Sequence, residues 1–427
     1  MTSSRRVMRA LALSSILSIT GAATAHAQEK LSVEEFRARV EGKLPELERF
    51  EADVLTAEAK VAEARSRPAV SLSYEREEVF TGNEGVALKN AVSLGWSLDV
   101  SGRRGHYIKS AELEVAAVQQ SSEFGKQLVA IGALEVYYRA ALARLKAESL
   151  QATRAPLATL VDRLKNRVRE GDASGYDLAR FELQLTEHDD ALADATTELA
   201  VAGAELSALL GSPDKEFVAS SELPLPVLAT DSTNPSDNLG GANRSDMLAT
   251  QHEEQGGRAL KKAASRWWIP TLDLSVGYLN TDFGPGTGPG ANFAHGYTGM
   301  VSASIPIFSK GDADQKRGEA QIRRARAKRT ILERRISTQI QSSSTRLSSR
   351  VQQAQQFRER QLVRTVELAK KSETAYQGGE VSALELSDAY SKASAAQLRF
   401  IDLRYQCRLA ELALWAATGV LGQGVSK

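Results

Sequence analysis

The chain holds a single cysteine, Cys407, among 427 residues. One thiol cannot close an intrachain disulfide, so the fold must be held by packing and assembly. Histidine is scarce as well. His26, His106, His188, His252 and His295 lie far apart and match no metal-ligand spacing, so no metal site is expected. Past the first twenty or so residues, no apolar run reaches the roughly twenty residues of a membrane-spanning helix. Any entry into a membrane would therefore have to be made by β-strands. No nucleophile–base pair stands out, which argues against an exported hydrolase, and nothing calls for a cofactor. Ser101 to Gly105 (SGRRG) has glycine and positive charge but not the spacing of a phosphate-binding loop.

The N-terminus has the pattern of an export signal. Arg5, Arg6 and Arg9 precede the short apolar stretch Ala10 to Thr20, and Ala25-His26-Ala27 offers a small-x-small cleavage site. Cleavage there would remove residues 1–27, by general secretion or by a twin-arginine route. The lone cysteine is far from that point, so no lipid anchor is expected. Three of the 54 basic residues and none of the 53 acidic ones lie in the signal. The remaining balance, near −2, gives no reason to expect nucleic acid as a partner. The basic run Arg323 to Arg335 fits a solvated helix face.

What is abundant is alanine, arginine, glutamate, leucine, serine and glutamine, a composition of long helices. Two segments correspond at an offset near 208 residues. Gly171-Asp172-Ala173-Ser174 answers to Gly379-Glu380-Val381-Ser382, and Gly102 to Gly311. Pro68, before Val70, Leu72 and Tyr74, answers to Pro270, before Leu272, Leu274, Val276 and Tyr278. A period this long marks a duplicated unit rather than a solenoid. The expected units are residues 28–212 and 242–427, joined by a Pro/Ser/Asp/Asn-rich segment, 213–241.

Each unit reads helix, strand, loop, strand, very long helix, turn, helix. Val86, Leu88, Val92, Leu94, Trp96, Leu98 and Val100 alternate with small or polar residues, with Asn90 as the exception. Val301, Ala303, Ile305 and Ile307 alternate with Ser302, Ser304 and Pro306. Thr81 to Gly85 is expected as a short loop, and Asp282 to Gly296 as a long Gly/Pro-rich one. Strands apolar on one side and small or polar on the other suit a lipid-facing barrel with a wet lumen. Four strands cannot close a membrane barrel, so the chain should oligomerise; eight strands as a dimer or twelve as a trimer are possible, and only the wider leaves a useful pore. Trp267 and Trp268 beside Pro270 would suit a lipid–water interface.

Arg104 to Glu170 and Gly311 to Gln377 are each 67 residues long; a continuous helix of that length spans about 100 Å. Pro156 is expected to bend the first. Ile336, Ile340, Leu347 and Val351 form a narrow coiled-coil-like seam in the second. Ser174 with Asp177, and Ser382 with Glu385, have capping-box spacing after a glycine that can end a helix, which predicts two sharp helical hairpins. A structural coiled-coil protein or adhesin of the cell surface would explain the long helices but not the duplicated strands.

In its duplicated order, Pro-led strands, the corner Ser304 to Phe308 before Gly311, and the tip motif Tyr376 to Glu385 (YQGGEVSALE), the chain resembles the TolC family of outer-membrane factors. The resemblance implies a mainly helical homotrimer: a twelve-stranded barrel in the outer membrane, four strands per chain, continued by an α-helical barrel into the periplasm. It implies an efflux channel that catalyses no reaction and works with a periplasmic adaptor and an inner-membrane pump. The stretch Ala64 to Arg104 and the length look like the branch serving heavy-metal efflux. The resemblance places acidic pore positions on Glu385 and Asp388, tip-gating positions on Asp177 and Tyr376, and adaptor docking at the turns Gly171, Ser174, Gly379 and Ser382. The family's latch arginine falls on Val381, a departure that leaves that contact without its cation.

Overall fold

A computed structural model describes residues 29–40, 44–81, 85–213, 215, 217–220, 222–227, 244–282, 293–305 and 311–419. The expected signal peptide, most of the 213–241 segment, the centre of the Gly/Pro-rich loop and the corner at Pro306, Ile307 and Phe308 lie outside the described residues. In chain order the elements are β1 (Glu29–Leu31), α1 (Val33–Val40), α2 (Pro45–Arg65), β2 (Ser71–Thr81), β3 (Gly85–Leu98), α3 (Arg103–Glu170) and α4 (Gly175–Leu209). β4 (Phe217–Ala219), α5 (Ser245–Ser265), β5 (Thr271–Asp282) and β6 (Phe293–Ser304) follow. α6 (Asp312–Phe357), a π-helical turn (Arg358–Leu362), α7 (Val363–Gln377) and α8 (Ala383–Thr418) complete the chain.

Four strands form one antiparallel sheet in the order β2-β3-β5-β6. Its register sorts the side chains onto two unlike faces. Leu72 pairs with Leu94, Leu94 with Val276, Trp96 with Leu274 and Leu274 with Val301. Their face is apolar and largely uncovered, with Leu72 72% and Tyr297 87% exposed. On the reverse face Ser73 meets Ser93, Ser93 meets Gly277, and Asp273 meets Ser302. A Cβ on Gly277 would sit 2.8 Å from the Val92 carbonyl oxygen, so that crowded row needs a glycine.

The apolar face has an upper limit. Tyr74, Val92, Tyr278 and Tyr297 make one row across the sheet, and the next row outward is Arg76, Asn90, Asn280 and His295. Asn90, the single polar exception in the sequence pattern, therefore belongs to a polar belt. The Tyr74 hydroxyl donates to Asn90 Oδ1 at 2.7 Å, and Tyr278 Oη lies 2.7 Å from His295 Nδ1. Two expected loops are shorter than predicted. Thr81 pairs with Gly85, and β5 reaches Asp282 while β6 already begins at Phe293. The Gly/Pro-rich composition masked the alternation of Phe293 to Gly296.

Both long helices start at a left-handed glycine, Gly102 (φ 64°) and Gly311 (φ 66°). That conformation is cheap only without a Cβ, and it turns the strand direction into the helix. α3 runs 68 residues without a break in its helical assignment, Pro156 included. The second long helix instead changes to a π-turn at Arg358–Leu362. Pro156 and Val366 border one cavity of about 480 Å³ between the helices, so the two irregularities stand at similar depth. The π-turn has no Pro or Gly to announce it.

Near the sheet the helices pack in the order α2, α3, α5, α6; farther away α4, α3 and α8 lie side by side, with α8 against α6 and α7. Between these levels β1 pairs in parallel with β4. The buried Tyr137 hydroxyl donates to the Leu31 carbonyl at 2.9 Å and accepts from the Ser220 amide at 3.2 Å, which ties that small sheet to α3. Burial pushes the Tyr137 phenol up to about 12. Arg244 joins the two halves. Its guanidinium pairs with Asp246, donates to the Ala417 carbonyl at 2.9 Å, and lies 4.6 Å from the centroid of the Phe124 ring.

α5 and α6 cross at Gly257 and Gly318, where an added Cβ would meet backbone atoms 3.1 Å and 2.8 Å away. Gly318→Val should force the helices apart and lower stability by about 1–3 kcal/mol. A depressed thermal midpoint in far-ultraviolet circular dichroism would register it; an unchanged midpoint would show that the crossing is not constrained.

Candidate functional site

The end of the helical wall farthest from the sheet is built from two helix–turn–helix tips. α3 closes on Gly171 (φ 82°) with Gly171 N donating to Val168 O and Asp172 N to Arg167 O. The second tip repeats this geometry: Gly379 (φ 78°) donates to Tyr376 O, and Glu380 N to Ala375 O. Each is a Schellman closure, in which the left-handed glycine lets two orphan carbonyls be satisfied. A Cβ at either glycine would meet nothing within 4 Å, so both turns stand free of the rest of the chain.

The predicted caps divide. Ser382 and Glu385 form a complete capping box: Glu385 N donates to Ser382 Oγ at 3.3 Å, and Ser382 N to Glu385 Oε2 at 2.8 Å. In the first tip Ser174 Oγ accepts from Tyr176 N at 3.1 Å, one residue earlier than the box requires. Ser174–Asp177 is thus a simple serine cap, which corrects the expected box there; Asp177 is a first-turn acid in α4 rather than a reciprocal partner.

The two tips are held together by Leu157, Val161, Leu164, Phe181, Ala383 and Leu386, against which Tyr376 packs. Gln184 adds a polar tie, accepting from Ser387 Oγ at 2.6 Å and donating to Ser391 Oγ at 2.8 Å. The structure brings Tyr376 and Asp177 close: burial, opposed by the Arg167 charge and aided by that of Asp177, raises the Tyr376 phenol. Arg167 lies over the Tyr376 ring at 6.0 Å from its centroid. Val381 stands where the family resemblance expects a guanidinium. A cation arrives from the opposite hairpin instead, and the signal for it was its place four residues before Gly171.

Glu385 and Asp388 are both exposed on α8, on the side away from buried Leu386 and Ala389. They do not stand alike. The Ser382 amide and hydroxyl hold the Glu385 carboxyl below the usual carboxylate range. Asp388 accepts from Lys392 Nζ at 2.7 Å, one helical turn on. Among the described residues no cluster of His, Cys, Asp and Glu is arranged to hold a metal ion, and no helix is long and apolar enough to cross a membrane.

Against known proteins, residues 241–420 match the model of the outer membrane efflux protein family. In fold the chain is similar to a membrane protein from Pseudomonas aeruginosa (TM-score 0.73, 17% identity, covering 90% of this chain and 93% of that one). It is also similar to CusC, described for its transmembrane channel formation (TM-score 0.71, 18% identity, 90% and 91% covered). A third is the outer membrane protein VceC from Vibrio cholerae (TM-score 0.70, 17% identity, 90% and 95% covered). No curated protein matches in sequence. The helical wall with one apolar-faced sheet is thus the fold of these outer-membrane channel proteins. Residues 241–420 thus carry the features of the outer membrane efflux protein family, and the chain as a whole shares the fold of these channel proteins.

The cap supplies a pH test. A carboxyl whose folded pKa is depressed contributes stability that is present above its unfolded pKa and is lost as pH falls through the folded value. Hydrogen-exchange protection in the first turn of α8 should therefore fall below the usual carboxylate range, and Ser382→Ala should cost about 1 kcal/mol at neutral pH. Protection that is flat across that range would show that Glu385 does not cap in solution.

Proposed function

We propose that three copies close a twelve-stranded barrel and a continuous helical wall, making a passive exit duct for solutes handed over by an inner-membrane pump through a periplasmic adaptor. The observation that carries this is the open sheet: among the described residues β2 and β6 have no partner on their outer sides, while the face beside them is apolar and exposed. Unpaired edges are not tolerated in lipid. β2 and β6 run in opposite directions, so the edge of one copy meets the next as an ordinary antiparallel pair. Mass measurement in mild detergent should give a trimer, and planar bilayers should show its conductance. A stable lipid-inserted monomer would overturn the closure.

The free tips at Gly171, Ser174, Gly379 and Ser382 are the end offered to the adaptor. Gly171→Val or Gly379→Val forces a β-branched residue into left-handed backbone, with no neighbour to clash. Efflux should be lost while outer-membrane assembly persists; failed assembly with intact export would reverse the assignment. Tyr376, Asp177 and Arg167 are assigned to the latch between tips.

Threefold symmetry would turn Glu385 and Asp388 into six carboxylates at the periplasmic entrance, where charge rings favour cations. That fits a heavy-metal cargo. Glu385→Gln with Asp388→Asn should leave assembly intact and abolish cation preference in single-channel recordings. Unchanged selectivity would leave Glu385 as a cap and Asp388 as the partner of Lys392, and nothing more.

A further inference from the structure

We propose that the joint between copies in the helical wall is an oppositely charged helix pair, with the acidic α2 of one copy seated against the basic first half of α6 of the next. The proposal rests on closure by further copies. The chain itself shows the rule that places these helices together. β3 pairs with β5, and the helix that follows β3 (α3) packs on the helix that precedes β5 (α5). When β6 pairs with β2 of the next copy, the helix that follows β6 is α6 and the helix that precedes β2 is α2. Sheet closure must therefore lay α6 beside a neighbouring α2.

Both helices have the open side this requires. Among the described residues the main contact of α2 within its own chain is α3, where Phe50 and Ala57 line one hollow with Glu114 and Val118. Away from that contact Glu48, Ala52, Leu55, Ala59 and Glu63 are exposed at spacings of three and four, Leu55 by 64%. α6 turns Gly318, Ile322, Ala325 and Ile336 inward. Its opposite side presents Lys316, Ala320, Arg324, Ala327, Ile331 and Arg334, with Ile331 57% exposed. Alanines on both stripes allow the axes to approach, and each stripe keeps one large aliphatic side chain with no cover in its own chain.

Charge then identifies the occupant. α2 carries six acidic and three basic residues. Residues 312–335 of α6 carry nine basic and four acidic ones. Within the chain Arg326 and Lys328 are used by Glu254 and Glu253 of α5, and Arg323 and Arg329 by Glu319 and Glu333 of α6 itself. Among the described residues Lys316, Arg324, Arg334 and Arg335 make no ion pair, and neither do Glu46, Glu48, Asp53, Glu58 and Glu63. The surplus cations of one edge thus match the surplus acids of the other. The same arrangement selects the mode of assembly: a twofold contact would oppose α2 to α2 or α6 to α6, like charge to like, whereas a head-to-tail ring opposes unlike charges at every joint.

The test reverses each edge separately in the full-length protein. Glu48→Lys, Glu58→Lys and Glu63→Lys form one set; Lys316→Glu, Arg324→Glu and Arg334→Glu form the other. The wild-type oligomer is measured first in mild detergent; if it is not a trimer, the closure reading fails before the joint is tested. Given a trimer, either set alone should weaken association by about tenfold or more at low salt, with circular dichroism unchanged, and the six-residue combination should restore it. The wild-type assembly should also loosen as salt rises. A trimer indifferent to both single sets, or a combined variant no tighter than either, overturns the joint. Loss of efflux from the α6 set with an unaltered trimer would also overturn it, and would assign the basic edge to a different protein.

Discussion

The constraint on which the architecture depends is that backbone amides and carbonyls cannot be left unpaired in hydrocarbon. The sheet satisfies it internally along three ladders, β2–β3, β3–β5 and β5–β6, and among the described residues leaves the two outer edges unpaired. Everything lateral follows from those edges. On the proposed closure, a neighbouring strand is supplied by another copy, and the helices attached to the edge strands then meet as well. The helical wall thus inherits its order from the sheet, through the chain connections at Gly102 and Gly311, which turn strand into helix with the same left-handed backbone.

The same sheet fixes depth. Lipid requires apolar side chains only over the hydrocarbon, and an aromatic girdle commonly marks each boundary. The row Tyr74, Tyr278 and Tyr297 supplies one girdle, and the polar belt of Arg76, Asn90, Asn280 and His295 lies directly beyond it. The exposed Trp268, placed just before β5, suits the opposite boundary. Strand residues beyond the tyrosines still pair as regular sheet, their outer face mixing the polar belt and Glu78 with the exposed Phe80 and Phe293. The Lys89–Glu77 ion pair on the inner face belongs to that outer stretch.

Much of this was legible because it rests on periodicity. The duplicated order, the strand alternation from Leu88 to Leu98 and the two reversal glycines are local patterns, and the structure contains them. What escaped depends on partners distant in sequence. Asn90 looked like a flaw in a strand until the neighbouring strands supplied the rest of a belt. Phe293 to Gly296 reads as loop by composition, but pairing with Leu279 to Asp282 makes it strand. Asp177 has capping-box spacing, and only the geometry at Ser174 shows which amide the serine takes. The π-turn at Arg358–Leu362 has no proline or glycine to announce it. Arg167 could not be matched to an absent Val381 cation, because the two positions are on different hairpins.

These departures share a direction. The tips are alike in their glycine closures, yet only the second has a full capping box, only the first contributes the arginine over Tyr376, and proline stands at a depth where the other long helix widens to a π-turn. Had the two repeats remained equivalent, three copies would present six interchangeable hairpins. In the proposed trimer the divergence would make them alternate: a hairpin with a fully capped acidic helix beside one with a simple serine cap and an arginine over Tyr376. A latch between unlike hairpins can be drawn from opposite charges and a tyrosine, whereas identical hairpins would bring like groups together. The two hairpins thus share their glycine closures and differ in their caps and in the arginine over Tyr376, and the proposed latch would draw on those differences.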